Sequence, residues 1–216
     1  MISILLATYN GERYIKESID SIINQTFTEW ELLIGFNGTT DNSKDIVNGY
    51  NDDRIRVFDY GDDKGKPQTL NKLLSEAKYE WCAIQDDDDV WEVNKFEEQI
   101  KYTNQFDIIG TFITYIDENG LKTGSPNLSN DHEMIIRRSL NGDNQIANSS
   151  AIFKRIDALE IGGWDTKLSG IEDFDFWLKL IRNNKKTINI PKSLVNHRLH
   201  NNSNFNTQTY DLNKIL

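Results

Sequence analysis

The chain has 216 residues, with 24 basic against 34 acidic side chains and a net charge of −10. That size fits one large domain, and the charge excludes a general nucleic-acid binder, since phosphate backbones demand basic surface. No apolar run reaches the roughly 20 residues a membrane-spanning helix needs, and the single cysteine, Cys82, cannot close an intrachain disulfide, so the composition suits a reducing, cytoplasmic setting.

Ile2 to Leu6 is a continuous apolar strand of the kind buried on both faces, and it begins so early that no signal peptide fits before it. Ile15, Ile19, Ile22 and Ile23 then recur at helical spacing. Trp30 to Phe36 predicts a second strand, and Asp41 caps a helix carrying Ile46, Val47 and Tyr50. Ile55 to Phe58 is a short third strand. Pro67 opens a helix whose apolar face is Leu70, Leu73, Leu74 and Ala77. Trp81 to Gln85 is the fourth strand, followed by a helix marked by Val93, Phe96 and Ile100.

This alternation of strand and helix predicts an α/β fold with a mostly parallel sheet and helices on both faces. Such sheets bind ligands beyond the carboxyl ends of their strands. The loops Ala7 to Glu12, Asn37 to Asp41 and Asp86 to Trp91 are therefore expected to share one pocket. The second half is less regular: a strand over Asp107 to Ile116, a turn over Asp117 to Gly124, helices at Met134 to Leu140 and around Phe174, Trp177, Leu178 and Ile181, a late strand over Thr187 to Ile190, and an Asn-rich mobile segment from Asn201 to Gln208. With no internal repeat and no linker, the chain reads as one domain, 1–216, whose halves (1–105 and 106–216) share a cleft.

Asp86 to Asp89 sit at the end of an apolar strand, where crowded carboxylates repel one another unless a cation lies among them. In an extended stretch Asp86 and Asp88 would point the same way. An EF-hand loop counted from Asp86 closes on Glu97 but puts Trp91 where a glycine is needed, so it is rejected. Asp-x-Asp-x-Val over Asp86 to Val90 resembles the nucleophile motif of haloacid-dehalogenase-like phosphatases, but that motif normally follows the first strand rather than the fourth. A third alternative is an inactive nucleotide- or glycan-binding module.

Taken together, the motifs resemble those of inverting family 2 glycosyltransferases. The matching segments are Ile4 to Asn10, Gln25-Thr26-Phe27 with Trp30 to Ile34, Asn37 to Asp41, Asp86 to Trp91, and Gly162-Gly163-Trp164-Asp165 with Glu172 to Leu178, in that order along nearly the whole chain. The resemblance implies a single GT-A-like domain with a Rossmann-like mixed central sheet, residues 1–105 binding the nucleotide sugar and 106–216 the acceptor. It implies a nucleotide-diphosphate sugar donor and a glycan or lipid-linked glycan acceptor, in a protein acting in surface polysaccharide or glycan synthesis at or near the cytoplasmic face of a membrane. It implies that Thr8, Tyr9 and Glu12 surround the base and ribose. Asp86 binds the nucleoside part, with Asp87 and Asn37 on the same nucleotide side. Asp88 holds Mn²⁺ or Mg²⁺ across the two phosphates, His200 touches the metal or diphosphate, and Asp173 is the general base with Glu172, Trp164 and Asp165 beside it at the acceptor. Asn37 stands where the family usually carries an aspartate that contacts uracil, so a uridine donor does not follow automatically.

Other residues carry structural expectations. His132 and His197 have no motif behind them. Trp81 and Trp177 suit the core, and Trp91 suits a role in orienting the acidic loop. Lys64, Lys66 and Lys72 are the nearest basic candidates for phosphate contact but read rather as solvated, and Asn148-Ser149-Ser150 reads as a lining of the acceptor pocket. The Asp173 carboxylate, at a helix start, is expected to be ionised at neutral pH.

Overall fold

The computed structural model describes residues 1–62, 65–168, 170–200 and 212–215. Lys64 and the segment Asn201 to Gln208 lie outside these. The first half follows the periodicity closely: β1 (Ile2–Thr8), α1 (Ile15–Ile23), β2 (Trp30–Phe36), α2 (Ser43–Asn48), β3 (Ile55–Asp59), α3 (Lys66–Glu76) and β4 (Trp81–Ile84). Beyond it come β5 (Val90–Trp91), α4 (Lys95–Gln99), β6 (Ile108–Ile116), β7 (Lys122–Gly124), α5 (His132–Leu140), β8 (Ile152–Lys154), α6 (Arg155–Glu160), α7 (Glu172–Arg182) and β9 (Thr187–Arg198).

One mixed sheet runs in the order β3-β2-β1-β4-β8-β6-β9-β5, with β7 hanging on β6. β3, β2, β1 and β4 are mutually parallel, so the carboxyl ends of β1, β2 and β4 open on one edge. The apolar runs of β1 are buried on both faces. Ile2, Ile4 and Leu6 pack with Ile15, Ile19 and Ile22 of α1. Leu5 and Ala7 pack with Leu70, Leu73 and Leu74 of α3 and with Phe176, Trp177 and Leu180 of α7. The period-two alternation of a strand thus meets the i, i+3, i+4 stripe of a helix on each side.

Several expectations are corrected. Asn42 rather than Asp41 holds the N-cap position of α2, but Asp41 Oδ1 still accepts from the helix's first N–H, Ser43 N, and from Ser43 Oγ at 3.0 and 2.6 Å. Val93 is exposed ahead of α4. Asp117 to Gly124 is a hairpin turn plus β7, with Asp117 Oδ1 accepting from Asn119 N and Leu121 N. The late strand does not stop at Ile190. β9 continues to Arg198 because the register against β6 shifts from Thr111↔Ile190 to Phe112↔Ser193, and Pro191 falls in that bulge, where a missing N–H costs no ladder bond. The extension carries His197 and Arg198 to the acidic loop.

Candidate active site

The loops at the carboxyl edge and the first turn of α7 enclose a cleft of about 1040 Å³. Its walls include Thr8, Tyr9, Asn37, Lys66, Asp86, Asp87, Asp88, Asn148, Glu172, Asp173, His197 and His200. The acidic loop and the proposed base therefore face one cavity. Asp86 to Asp89 form a tight turn closed by Asp89 N donating to Asp86 O at 3.3 Å, not an extended run. The turn brings Asp86, Asp87 and Asp88 together on the cleft wall, while Asp89 is fully buried.

Each of these carboxylates has its own partner. Asp86 Oδ1 accepts from Lys66 Nζ at 2.5 Å, and both its oxygens face Asn148 Nδ2 at 3.2 and 3.3 Å. Burial would raise the Asp86 carboxyl, but the Lys66 ammonium and Asn148 amide outweigh it and hold the group low. With its oxygens so engaged, Asp86 is poorly placed to attack phosphorus, and the phosphatase alternative is not favoured. Asp87 Oδ2 accepts from Thr8 Oγ1 at 2.5 Å, yet burial and the Asp88 charge push it up to about 7. Asp88 Oδ2 lies 2.9 Å from His200 Nε2, and burial raises its carboxyl despite that contact.

Beneath the turn, Asp89 accepts from Arg198 N at 2.9 Å and pairs with His197 Nδ1 at 3.0 Å. Burial opposes protonation of His197, but Asp89 and the neighbouring carboxylates prevail and raise it to about 9. Arg198 is buried to 2 % exposure and donates to Asp88 O, to the hairpin carbonyls of Asp117 and Glu118, and to Glu17 on α1. Trp91 Nε1 donates to Ser149 O at 2.8 Å, and Ser149 Oγ accepts from Asp86 N at 3.2 Å. Trp91 thus anchors the loop from below, as expected.

On the opposite wall, Asp173 sits in the first turn of α7 with its Oδ1 accepting from Phe174 N at 2.7 Å. Burial, then the adjacent Glu172 charge, push its carboxyl up to about 7, with Lys66 opposing. Burial thus works against the ionised form expected at a helix start. Glu172 is 6 % exposed, and its Oε2 has no hydrogen-bond partner.

The remaining candidates divide. Trp164 does not reach the cleft: it is 2 % exposed and stacks on Phe176 at 4.2 Å. Asp165 accepts from Lys167 N in the following turn and does not line the cleft. The reason is local. Gly162 and Gly163 adopt φ of +80 and +71°, and Asn71 clamps the turn through Trp164 N and O at 2.9 and 2.8 Å, which swings the indole into the core. Glu12 binds Asn42 N and Nδ2 at 3.0 and 2.8 Å, outside the cleft lining. His132 holds Thr187 and is structural, as expected. Lys72 lies over the Tyr60 ring at 4.3 Å. Lys66 and His197, read from sequence as solvated and structural, both line the cleft. Their signal was spatial rather than sequential, because each is defined by a carboxylate on another element.

The donor set suits a divalent cation. Asp88 and His200 offer one carboxylate oxygen and one imidazole nitrogen side by side on the cleft wall that also carries Asp86 and Asp87. Among the described residues no group of three or more His, Cys, Asp or Glu side chains is placed to hold a metal ion by itself. No helix among the described residues is long and apolar enough to cross a membrane.

The family model "Glycosyl transferase family 2" matches residues 3–161. The glycosyltransferase MJ1057 of Methanocaldococcus jannaschii is 30% identical over 217 residues, covering 95% of this chain and 73% of that protein. The O-antigen biosynthesis glycosyltransferase WbnJ of Escherichia coli is 31% identical over 211 residues, covering 94% of this chain and 81% of its own. Among solved structures, S. aureus TarS 1-349 in complex with UDP-GlcNAc superposes with a TM-score of 0.80 at 18% identity, over 99% of this chain and 63% of TarS. The mannosyltransferase PcManGT from Pyrobaculum calidifontis, in complex with GDP-Man and Mn²⁺, gives 0.73 at 18% identity, over 94% of this chain and 58% of that one. The chain thus spans about three-fifths of the solved chains, and at these identities the likeness speaks to the fold, a GT-A-type α/β domain.

Proposed function

This chain belongs to glycosyl transferase family 2, a family of transferases, and we propose that it is a metal-dependent, inverting glycosyltransferase. It would move a sugar from a nucleotide-diphosphate donor to an acceptor hydroxyl in surface polysaccharide synthesis. The O-antigen role named for WbnJ supports the pathway class, and the ligands named for TarS and PcManGT support the donor class. The observation that carries the reading is the convergence of Asp86, Asp87, Asp88 and His200 with Asp173 on one cleft.

Asp88 and His200 would hold Mn²⁺ or Mg²⁺, which when bound supplies positive charge against the departing diphosphate. Thr8, Tyr9, Asn37, Asp86 and Asp87 would hold the nucleoside. Asp173 would take the proton of the acceptor hydroxyl as the new C–O bond forms and the bond to the diphosphate oxygen breaks from the opposite side. Gathering both reactants in one walled cleft removes much of the entropic cost of their encounter. The acceptor would be a glycan or lipid-linked glycan.

The test is a thermal-shift panel of nucleoside diphosphates with and without Mn²⁺. Stabilisation by one base class that depends on Mn²⁺ supports the reading. No response to any nucleoside diphosphate would overturn it.

A further inference from the structure

Helix α1 has two buried faces of opposite character. Ile15, Ile19 and Ile22 join the apolar core. Ser18, Ser21 and, just past the helix end, Gln25 form a second stripe at i, i+3 and i+7, and none is more than 8 % exposed. Buried hydroxyls and amides are costly unless each finds a partner, and all three reach the segment 85–96. Gln25 Nε2 donates to Glu92 O at 2.8 Å, and its Oε1 accepts from Phe96 N at 3.2 Å. Ser21 Oγ accepts from Trp91 N at 3.1 Å. Ser18 Oγ donates to Asp86 O at 3.0 Å and accepts from Gln85 Nε2 at 2.8 Å.

The bonds of Ser18 fall on the acidic turn itself. Gln85, fully buried, also donates to Asp89 O at 2.7 Å. The carbonyls at the two ends of the turn, Asp86 O and Asp89 O, are thus tied to one side-chain pair, while Asp89 N closes the turn on Asp86 O. Crowded carboxylates on the turn repel one another and favour opening it. Their directions follow from the backbone that bears them, so a fixed backbone fixes the cluster. We propose that Ser18, with Gln85, is a positioning residue for the metal and diphosphate: the pair holds the 86–89 turn in the shape that brings the Asp88 carboxylate beside His200. This rests on the reading of Asp88 and His200 as the cation's ligands. It also gives the polar face of α1 a task that its apolar spacing does not disclose.

The experiment is calorimetry of UDP, and separately of GDP, binding to the full chain in Mn²⁺ and in EDTA, beside a thermal melt of each variant. Ser18→Ala loses roughly tenfold in affinity in Mn²⁺, while its affinity in EDTA stays parental. Ile19→Val is the control, since it trims the apolar face of the same helix. It lowers the melting temperature and keeps the parental gain in affinity from Mn²⁺. A parental gain in Ser18→Ala, or an equal loss of that gain in Ile19→Val, overturns the proposal. Should Ser18→Ala fail to fold, Gln85→Met, which removes the bonds to Ser18 Oγ and Asp89 O, is read in the same way. The two readings fail separately. Absence of any Mn²⁺-dependent binding of either nucleotide by the parent removes the cation site and this role with it. Mn²⁺-dependent binding by the parent with an unmoved Ser18→Ala removes only the role of Ser18.

Discussion

Asp88 Oδ2 and His200 Nε2 meet at 2.9 Å although 112 residues separate them in sequence. The meeting depends on β9 running past its bulge and on Arg198 gripping the acidic turn from beneath. If these atoms hold a divalent cation, Asp88→Ala weakens nucleoside-diphosphate binding in Mn²⁺ by roughly tenfold or more and leaves binding without metal little changed. His200→Gln has the same signature at smaller magnitude. Calorimetry with and without Mn²⁺ reads both, and an unchanged metal dependence contradicts the assignment.

Gly11 is held against the acidic turn. A Cβ there would meet Asp87 Oδ2 at 2.4 Å and Thr8 Oγ1 at 2.8 Å. Gly11→Ala is expected to expel Asp87 from Thr8 and cost most of the nucleotide-induced thermal shift. The unliganded midpoint should move little, because the site lies at a loop outside both cores. A parental response to nucleotide would show that the Thr8–Asp87 contact is not needed for binding.

Asp173 gives a pH dependence of opposite sign for stability and for activity. Its carboxyl lies at about 7 in the folded protein against an ordinary 3.8. Between those values the folded chain holds a proton that the unfolded chain releases, so stability declines as pH rises from about 4 to about 7. Asp173→Asn removes that decline and at pH 8 is more stable than the parent by on the order of 4 kcal/mol. Urea unfolding at pH 5 and pH 8 checks it. Activity runs the other way, with kcat/KM rising through about pH 7 as the base ionises.

The first half of the fold was legible because its strands are unbroken apolar runs and its helices carry regular stripes. Ile4 and Leu6 face one helical layer and Leu5 the other, a pattern any sequence carries openly. β9 was cut short at Ile190 because Pro191 ordinarily ends a strand, and only the register shift against β6 accommodates it. The lining of the cleft was legible where it lies in a contiguous motif, as at Asp86 to Asp88 and Glu172-Asp173. It was illegible where side chains pair across the fold. His197 is defined by Asp89, 108 residues away, and Lys66 by Asp86.

The glycine-turn motif illustrates the reverse error, a family-like pattern read as ligand contact where Trp164 serves packing. Trp164 fills the core against Phe176 and Phe153. Trp164→Ala should therefore cost about 3–5 kcal/mol of stability, whereas Asp165→Asn should leave both stability and acceptor KM nearly unchanged. A selective rise in acceptor KM in Asp165→Asn would return that residue to the acceptor site.

The most direct measurement of the account is sugar transfer by Asp173→Asn beside its Mn²⁺-dependent nucleotide binding. Loss of transfer by at least about a hundredfold, with nucleotide affinity kept, is the predicted result. Near-parental turnover in that variant would contradict it.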